Sequence, residues 1–266
     1  MSLPTPTPTS RAVVTGASSG IGVALAEELA HLGHSLILVA RREDRLRKLA
    51  VRLGARHGIE AEIRAVDLSD RGERSKLCDE LACRDIAVLC NNAGFATYGD
   101  LASASPAREH QQVELNSVAV HDLTLAVLPA MVERGTGAIL ITGSTAGNQP
   151  GPGNATYAAT KAFANTLAES LHSELAGAGV TCTLLAPGPV RTEYTEVAEV
   201  PNLDRLVPGP LWVSAEQAAR EAISGLAAGR RRVVPGAFAK VQTVGGQYTP
   251  RALIGPILRT VYRKAK

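Results

Sequence analysis

Tyr157 and Lys161 are four residues apart, and a serine, Ser144, stands thirteen residues before the tyrosine. Because side chains at positions i and i+4 of a helix lie on one face, a lysine ammonium at 161 can stand beside the phenol. Tyrosine has a pKa of about 10 in water, and lowering it by about three units takes about 4 kcal/mol of preferential stabilisation of the phenolate. A neighbouring cation supplies part of this. The spacing therefore predicts a tyrosine that exchanges a proton with a bound molecule.

The same spacing recurs at Tyr262 and Lys266, so the spacing alone does not identify the site. What differs is the sequence that precedes each pair. Ser144 follows the apolar run 138–142, which is typical of a buried strand. Tyr262 has no serine at the end of a strand before it and belongs to a basic stretch, so we interpret that pair as surface helix.

A glycine-rich turn near the N-terminus predicts a nucleotide site. The β-branched and apolar run 11–15 reads as a buried strand, residues 16–22 as a turn with three glycines, and residues 23–30 as a helix. Strand, glycine-rich turn and helix in this order form the first unit of a dinucleotide-binding fold. The glycines let the backbone approach a pyrophosphate, and the helix N-terminus offers free N–H groups.

These motifs resemble the short-chain dehydrogenase/reductase family, whose loop reads Thr-Gly-x-x-x-Gly-x-Gly, as residues 15–22 do here. Further family motifs follow in register over residues 11–235. Asn-Asn-Ala-Gly at 91–94 follows a strand, Asn116 lies in a long helical stretch, and Pro-Gly at 187–188 closes another strand. The neighbourhoods 40–46, 91–99 and 187–192 are similar to bacterial ketoacyl-reductase-like members.

The resemblance implies four catalytic residues. Tyr157 would donate the proton, Ser144 would hydrogen-bond the substrate oxygen, Lys161 would depress the tyrosine pKa and bind the nicotinamide ribose, and Asn116 would hold a water that links Lys161 to solvent. One departure is Gly143, where many members carry another serine, so Thr145 is the nearest other hydroxyl. The spacing still favours Ser144.

The cofactor is predicted to be NADP(H) rather than NAD(H). The second predicted strand ends in Arg41 and Arg42, with no acidic residue before Glu43, and arginine there accommodates the extra phosphate of NADP. The alternative is a solvated arginine pair. Asp67 resembles the adenine-contacting aspartate, although it could equally cap the next helix. The predicted cofactor contacts are Gly16, Ser18, Ser19, Gly20, Ile21, Gly22, Arg41, Arg42, Asp67, Leu68, Asn92, Ala93, Gly94, Tyr157, Lys161, Pro187, Gly188, Val190 and Thr192.

Strand and helix patterns alternate along the chain, which predicts a parallel sheet with helices on both faces. We predict one α/β domain with a Rossmann-type doubly wound sheet of about seven strands over residues 11–235, after a disordered lead-in, 1–10. A proline-rich stretch at 189–212 resembles the family's substrate loop. The long helical stretches 107–134 and 155–176 make the dimer interface in the family, which implies a homodimer or homotetramer.

Composition excludes several classes. The chain has 45% hydrophobic residues, 20% charged residues and a net charge of +3, which is ordinary for a globular protein. Aromatic residues are only 3%, which argues against nucleic-acid binding. The four cysteines form no Cys-x-x-Cys pair and no histidine cluster accompanies them, so no disulfide or metal site is predicted. Neither a signal peptide nor a membrane span is recognised, which predicts a cytoplasmic protein.

The basic tail, 236–266, carries an apolar stripe at 254, 257, 258, 261 and 262, which is helical spacing. This stripe could dock on the protein or a partner subunit, or lie on an anionic membrane surface. Because Pro256 shortens the helix, we favour docking.

The sequence as a whole predicts an NADP(H)-dependent oxidoreductase that acts on a carbonyl or secondary alcohol, with a lipophilic ketone or 3-oxoacyl thioester as substrate. The alternative is a catalytically silent NADP-binding sensor or scaffold on the same fold.

Overall fold

The computed structural model describes residues 3–191 and 212–236. Within them, seven parallel strands form one sheet in the order β3-β2-β1-β4-β5-β6-β9, which confirms the predicted doubly wound fold. Two further short strands, β7 and β8, pair with each other in parallel. The strand bounds are β1 (Arg11–Thr15), β2 (Leu36–Ala40), β3 (Ala61–Ala65), β4 (Ile86–Asn91), β5 (Gly137–Thr142), β6 (Val180–Leu185), β7 (Val190–Arg191), β8 (Val213–Ser214) and β9 (Arg232–Val233).

Helices connect the strands and cover both faces of the sheet. A π-helical turn, Glu114–Val118, joins two of them, and 3-10 turns span Leu101–Ser103 and Thr145–Asn148. The α-helix bounds are α1 (Gly20–His31), α2 (Glu43–His57), α3 (Arg71–Ala82), α4 (Pro106–Val113), α5 (Ala119–Glu133), α6 (Ala155–Glu174) and α7 (Ala215–Ala227).

Two apolar layers hold the helices to the sheet. On one face, residues such as Leu25 of α1 and Leu38 of β2 pack with α2 and α7; on the other, Leu123 of α5 and Ile139 of β5 pack with α3 and α6. All four side chains are essentially inaccessible to solvent. Truncating one such leucine to alanine typically costs about 2–5 kcal/mol. Because the central strands are buried on both faces, they read as continuous apolar runs rather than alternating ones.

The strand order reverses between β1 and β4, where β2 and β3 continue to one side and β5, β6 and β9 to the other. In open parallel sheets, ligands bind in the crevice at the carboxyl ends of the strands at such a reversal. The segments that follow β1, β4 and β5 therefore define the place where a site is expected.

The lead-in 1–10, which the sequence predicts to be disordered, contacts the domain at both ends of its described part, residues 3–10. Leu3 packs against the apolar layer, and Ser10 is buried. The N–H of Thr7 donates to Ser10 Oγ at 2.9 Å, and the N–H of Ser10 donates to Thr7 Oγ1 at 3.0 Å. These local hydrogen bonds help to order a segment whose low apolar content gives it little hydrophobic stabilisation.

The run Pro106–Glu133, which comprises α4, the π turn and α5, is by length and composition apolar enough to cross a membrane. Leu123, Val127 and Met131 of this run lie in the apolar layer under the sheet, as expected for the core helix of a domain. Of the predicted substrate loop, 192–211 lie outside the described residues. The basic tail lies outside them as well, from 237 onward.

Candidate active site

The backbone of the glycine-rich turn is in close contact with the first turn of α1 and with the segment that follows β4. Gly16 and Gly20 have φ of +68° and +51°, in the left-handed region that favours glycine. A Cβ on Gly22 would overlap the carbonyl oxygen of Gly16 and lie 2.9 Å from Asn92 Nδ2. Only glycine at 22 therefore allows the first turn of α1 to pack against the loop and against the segment that follows β4.

Thr15, at the end of β1, fixes the segment after β4. Its Oγ1 donates to the carbonyl oxygen of Cys90 (3.3 Å) and accepts from the N–H groups of Asn92 (2.9 Å) and Ala93 (3.0 Å). Asn92 Nδ2 donates back to the carbonyl oxygen of Thr15 at 3.0 Å. Thr15 is part of the loop motif in the sequence, but the spacing of that motif does not indicate that its hydroxyl joins the two loops.

The carboxyl edge of β1 and β2 has the features of a nucleotide cradle. Helix α1 has twelve residues, and Ser19 at its N-cap makes no side-chain capping bond, so the Ser19 side chain does not occupy the first N–H groups of the helix, which can bind an anion. Arg42 donates through Nε and Nη2 to Ser18 Oγ at 3.1 and 3.0 Å. Arg41 is exposed, with Nη1 3.8 Å from Asp67 Oδ2. These groups fit a nucleotide that carries an additional phosphate on its adenosine ribose.

Asp67 and Leu68 follow β3 at the same edge. Asp67 Oδ1 accepts from the N–H and the hydroxyl of Ser69, whereas Asp70 Oδ1 caps α3 by accepting from the N–H of Glu73 at 2.8 Å. The alternative role for Asp67, as the cap of α3, is therefore wrong.

Lys161 lies on α6 one turn after the half-buried Tyr157, with Nζ 5.8 Å from the centroid of the tyrosine ring. Lys161 is 5% exposed, and its Nζ donates to the carbonyl oxygen of Thr142 at 2.8 Å. Burial removes water from the ammonium and lowers the pKa of Lys161 to about 8. The helix thus places the predicted proton donor and a buried cation at the carboxyl end of β5.

Ser144 lies two residues beyond the end of β5 and caps the 3-10 turn Thr145–Asn148. Its Oγ accepts from the N–H of Ala146 at 3.1 Å and makes only a long contact, 3.5 Å, with the carbonyl oxygen of Pro187. A contact of 3.5 Å is at the limit of a hydrogen bond. The hydroxyl proton can therefore turn to another oxygen at little cost.

Asn116 is completely buried in the π-helical turn. Its Oδ1 accepts from the N–H of Phe95 at 3.1 Å, and its Nδ2 donates to the carbonyl oxygen of Phe95 (2.8 Å) and to Thr160 Oγ1 (3.1 Å). Gly94 lies against this amide on one side and Lys161 Nζ on the other, since a Cβ there would be 3.0 Å from Asn116 Oδ1 and 3.4 Å from Nζ. The side chain of Asn116 therefore braces the segment after β4 against α6.

The remaining predicted residues follow β6. Pro187 and Gly188 lie just beyond that strand, and Val190 begins β7. The carbonyl oxygen of Pro187 accepts from the N–H of Thr145 at 3.1 Å, which joins this segment to the turn after Ser144. Thr192 lies outside the described residues. The structure therefore brings the predicted residues from the ends of β1, β4, β5 and β6 to one edge of the sheet.

Comparison with known proteins places the chain in a family. The model for short chain dehydrogenases matches residues 10–201. Sulfoacetaldehyde reductase 2 of Chromohalobacter salexigens is 38% identical over 194 residues, which is 70% of this chain and 74% of that protein. The very-long-chain 3-oxoacyl-CoA reductase of Bos taurus is 34% identical over 201 residues, which is 74% of this chain and 64% of that protein.

A solved structure agrees over nearly the whole length. It is a short-chain dehydrogenase from Sphingobium yanoikuyae in complex with NADPH, with a TM-score of 0.80 and 32% identity over 94% of this chain and 95% of that chain. The family match, the two relatives and this structure support the same assignment. The chain is an oxidoreductase and belongs to the short-chain dehydrogenase family.

Proposed function

We propose that this protein transfers hydride between NADP(H) and a carbonyl or secondary alcohol, with a lipophilic ketone or a 3-oxoacyl thioester as its substrate. The observation that carries the proposal is the hydrogen bond from Lys161 Nζ to the carbonyl oxygen of Thr142. It joins the face of α6 that bears Tyr157 to the end of the strand that leads to Ser144. A proton donor, a cation and a hydroxyl are thereby collected at the edge where a nucleotide is expected.

The proposed chemistry divides among four side chains. NADPH, when bound, supplies the hydride. Tyr157 donates its phenol proton to the carbonyl oxygen, and Ser144 Oγ turns from Pro187 to donate a hydrogen bond to that oxygen as negative charge develops there. Lys161 stabilises the resulting phenolate by its charge. Asn116 holds a water that links Lys161 to solvent, and a proton can be returned through that water.

Three features support NADP(H) rather than NAD(H). Arg42 lies against Ser18 of the glycine-rich turn, Arg41 lies at the same edge, and the residues that end β2 include no carboxylate. A guanidinium forms a charge-assisted bidentate contact with phosphate. The NADPH complex of the Sphingobium yanoikuyae relative supports the same preference.

The substrate class rests on resemblance to ketoacyl-reductase-like members and on the bovine 3-oxoacyl-CoA reductase. The sulfoacetaldehyde reductase relative adds short aldehydes to the compounds to be tested. A catalytically silent sensor is not favoured, because the chain retains Tyr157, Lys161, Ser144 and Asn116 and the fold brings them together. We place the protein in the cytoplasm, consistent with the burial of the apolar face of α5 in the domain.

A substrate panel tests the proposal. NADPH oxidation is followed by absorbance with 3-oxoacyl thioesters, steroids, sugars and aldehydes, in the wild-type protein and in Tyr157→Phe. We expect turnover with a lipophilic carbonyl and a loss of at least about a thousandfold in Tyr157→Phe, since removing the proton donor removes general acid catalysis and its orientation together. NADPH affinity should be nearly unchanged, because the substitution removes a single oxygen.

Tyr262→Phe is the matched control, since it removes a phenol from the other Tyr-x-x-x-Lys pair of the chain. It should retain wild-type turnover. More than a tenth of wild-type activity in Tyr157→Phe would disprove the role of Tyr157. NADPH binding without turnover across the panel would favour the sensor.

A further inference from the structure

Asn165 continues the stripe of α6 that carries Tyr157 and Lys161. It follows Lys161 by four residues, as Lys161 follows Tyr157, so the three side chains lie on one helical face. Asn165 is 4% exposed. None of the roles proposed above uses it.

The carboxamide of Asn165 holds both backbone groups of Ser144. Its Oδ1 accepts from the N–H of Ser144 at 3.2 Å, and its Nδ2 donates to the carbonyl oxygen of the same residue at 3.0 Å. Only an amide side chain offers an acceptor and a donor side by side at this spacing. Two such bonds to one residue fix its position and also its rotation.

Gly143 makes the space for this contact. A Cβ at 143 would overlap Asn165 Oδ1 and lie 2.8 Å from Leu184 Cδ1. The space that a side chain at 143 would take is therefore occupied here by the amide oxygen of Asn165. The absence of a side chain at 143 and the presence of the amide at 165 depend on each other.

The amide also reaches the far end of the turn that follows Ser144. Asn165 Nδ2 donates to Asn148 Oδ1 at 3.3 Å, and that oxygen also accepts from Arg232 Nη2 at 3.4 Å. Arg232 Nε in turn lies 3.0 Å from Oε1 of Glu169, one helical turn beyond Asn165. Both ends of the 3-10 turn, at Ser144 and at Asn148, are thus tied to α6 through one side chain.

We propose that Asn165 is a positioning residue for the Ser144 hydroxyl, and that Gly143 is the partner that permits it. The inference rests on the proposed function, in which Ser144 stabilises charge on the substrate oxygen. An oxyanion donor acts only if it stands where the charge develops, and a displacement of about 1 Å can cost on the order of a hundredfold in rate. Lys161 fixes the carbonyl oxygen of Thr142, and Asn165 fixes Ser144 two residues later, so α6 controls the end of β5 at two successive points.

The test compares four variants: Asn165→Ala, Asn165→Asp, Gly143→Ala and the double variant Gly143→Ala with Asn165→Ala. Asn165→Asp keeps the shape but replaces the Nδ2 donor by an oxygen that faces the carbonyl oxygen of Ser144. For each, kcat, KM for the carbonyl, NADPH affinity by fluorescence, the unfolding midpoint and the deuterium isotope effect on hydride transfer are measured.

We expect each single substitution to lower kcat by about tenfold to a hundredfold, because displacing an oxyanion donor should cost less than removing it, which costs about a hundredfold to a thousandfold. NADPH affinity should change by less than about twofold, since Asn165 binds only protein groups. The isotope effect should rise, because hydride transfer becomes slower relative to other steps. The double variant should lose no more than Asn165→Ala alone, since the methyl group at 143 then enters the space that the amide has left and meets only Leu184 Cδ1, the end of a side chain that can turn away.

Thr183→Val is the stability control. Thr183 is fully buried in β6, pairs with Leu140 of β5, and its hydroxyl donates to the carbonyl oxygen of Arg230 at 2.7 Å. It should lower the unfolding midpoint with little effect on kcat. An equal fall in kcat in Thr183→Val would overturn the inference, because the effect would then follow stability alone.

Ser144→Ala distinguishes the positioning role of Asn165 from the role of Ser144 in the proposed function. If it abolishes turnover while both Asn165→Ala and Gly143→Ala retain wild-type kcat, the positioning role is wrong and the proposed function stands. If Ser144→Ala itself is as active as wild type, the role of Ser144 fails. If Asn165→Asp does not fold, Gly143→Ala, Asn165→Ala and the double variant still test the positioning role. Losses in kcat that add up in the double variant would contradict a contact shared by Gly143 and Asn165.

Discussion

Lys161 Nζ donates a hydrogen bond of 2.8 Å to the carbonyl oxygen of Thr142, in surroundings that exclude nearly all water from the ammonium. The burial lowers the pKa of Lys161 to about 8. One accepting carbonyl does not replace the hydration of a cation. Burial of Lys161 therefore destabilises the folded protein, and it holds a positive charge beside Tyr157.

This cost predicts a pH dependence of stability. Between pH 8 and 10.5 the unfolded chain holds the Lys161 proton while the folded chain releases it, so stability rises with pH in this window. We compare Tyr157→Phe with Tyr157→Phe/Lys161→Met by urea denaturation, so that the tyrosine does not titrate. From pH 7 to 9.5, the unfolding free energy of Tyr157→Phe should rise by about 2 kcal/mol relative to that of Tyr157→Phe/Lys161→Met. A difference that stays constant with pH would show that Lys161 is not desolvated in solution.

Arg42 should determine cofactor preference more strongly than Arg41. Arg42 is held against the glycine-rich turn by Ser18, whereas the side chain of Arg41 is 58% exposed beside Asp67. Replacing both by alanine should raise the KM for NADPH by about tenfold to a hundredfold, the value of one or two charged hydrogen bonds, with Arg42→Ala giving the larger share. The KM for NADH should change little.

Arg47→Ala is the control for that experiment, since Arg47 pairs with Glu43 on the exposed face of α2. It should leave the KM for NADPH unchanged. A native preference for NADH, or an equal effect of Arg47→Ala, would contradict the role of the pair that ends β2.

Gly22→Ala should abolish cofactor binding. The added Cβ would overlap the carbonyl oxygen of Gly16, which is a backbone atom and can move only with the loop. We expect a stability loss of about 1–3 kcal/mol from overpacking, and no shift of the unfolding midpoint when NADPH is added. Gly72→Ala, at an exposed position in the first turn of α3, should keep the NADPH-dependent shift. If NADPH shifted the unfolding midpoint of Gly22→Ala as much as that of wild type, the glycine-rich turn would not be the NADPH site.

Much of the fold could be predicted because its signals are local. Strand β1 spans the predicted strand 11–15, and helix α1 contains the predicted helix 23–30. The buried strands read as apolar runs, and their alternation with helices leaves few topologies open.

The features that could not be predicted depend on neighbours distant in sequence. The π turn at Glu114–Val118 continues a helical pattern and has no periodicity of its own. The role of Asn165 requires Gly143 at its side, and only the fold brings residues 22 positions apart along the chain into contact. The pairing of β7 with β8 joins the two ends of a proline-rich stretch that gave no strand signal.

An exposed apolar face on α5 and α6 supports the proposed homo-oligomer. Leu125 is 56% exposed and Phe163 41% exposed, and the ring of Phe163 lies 6.4 Å from that of His121, one turn before Leu125. Val132, also exposed, extends the same side of α5. Adjacent exposed apolar side chains on two helices are typical of a protein interface.

Leu125→Glu with Phe163→Glu should therefore convert the oligomer to a smaller species. Each substitution places a carboxylate where apolar surface would otherwise be buried, and an unpaired charge in an interface costs several kcal/mol. Light scattering after size-exclusion chromatography measures the mass. Val51→Glu, an exposed apolar residue on α2, is the control and should leave the mass unchanged. A wild-type protein that is monomeric at micromolar concentration would contradict the homo-oligomer. An unchanged mass of the double variant would show that the interface does not include this face.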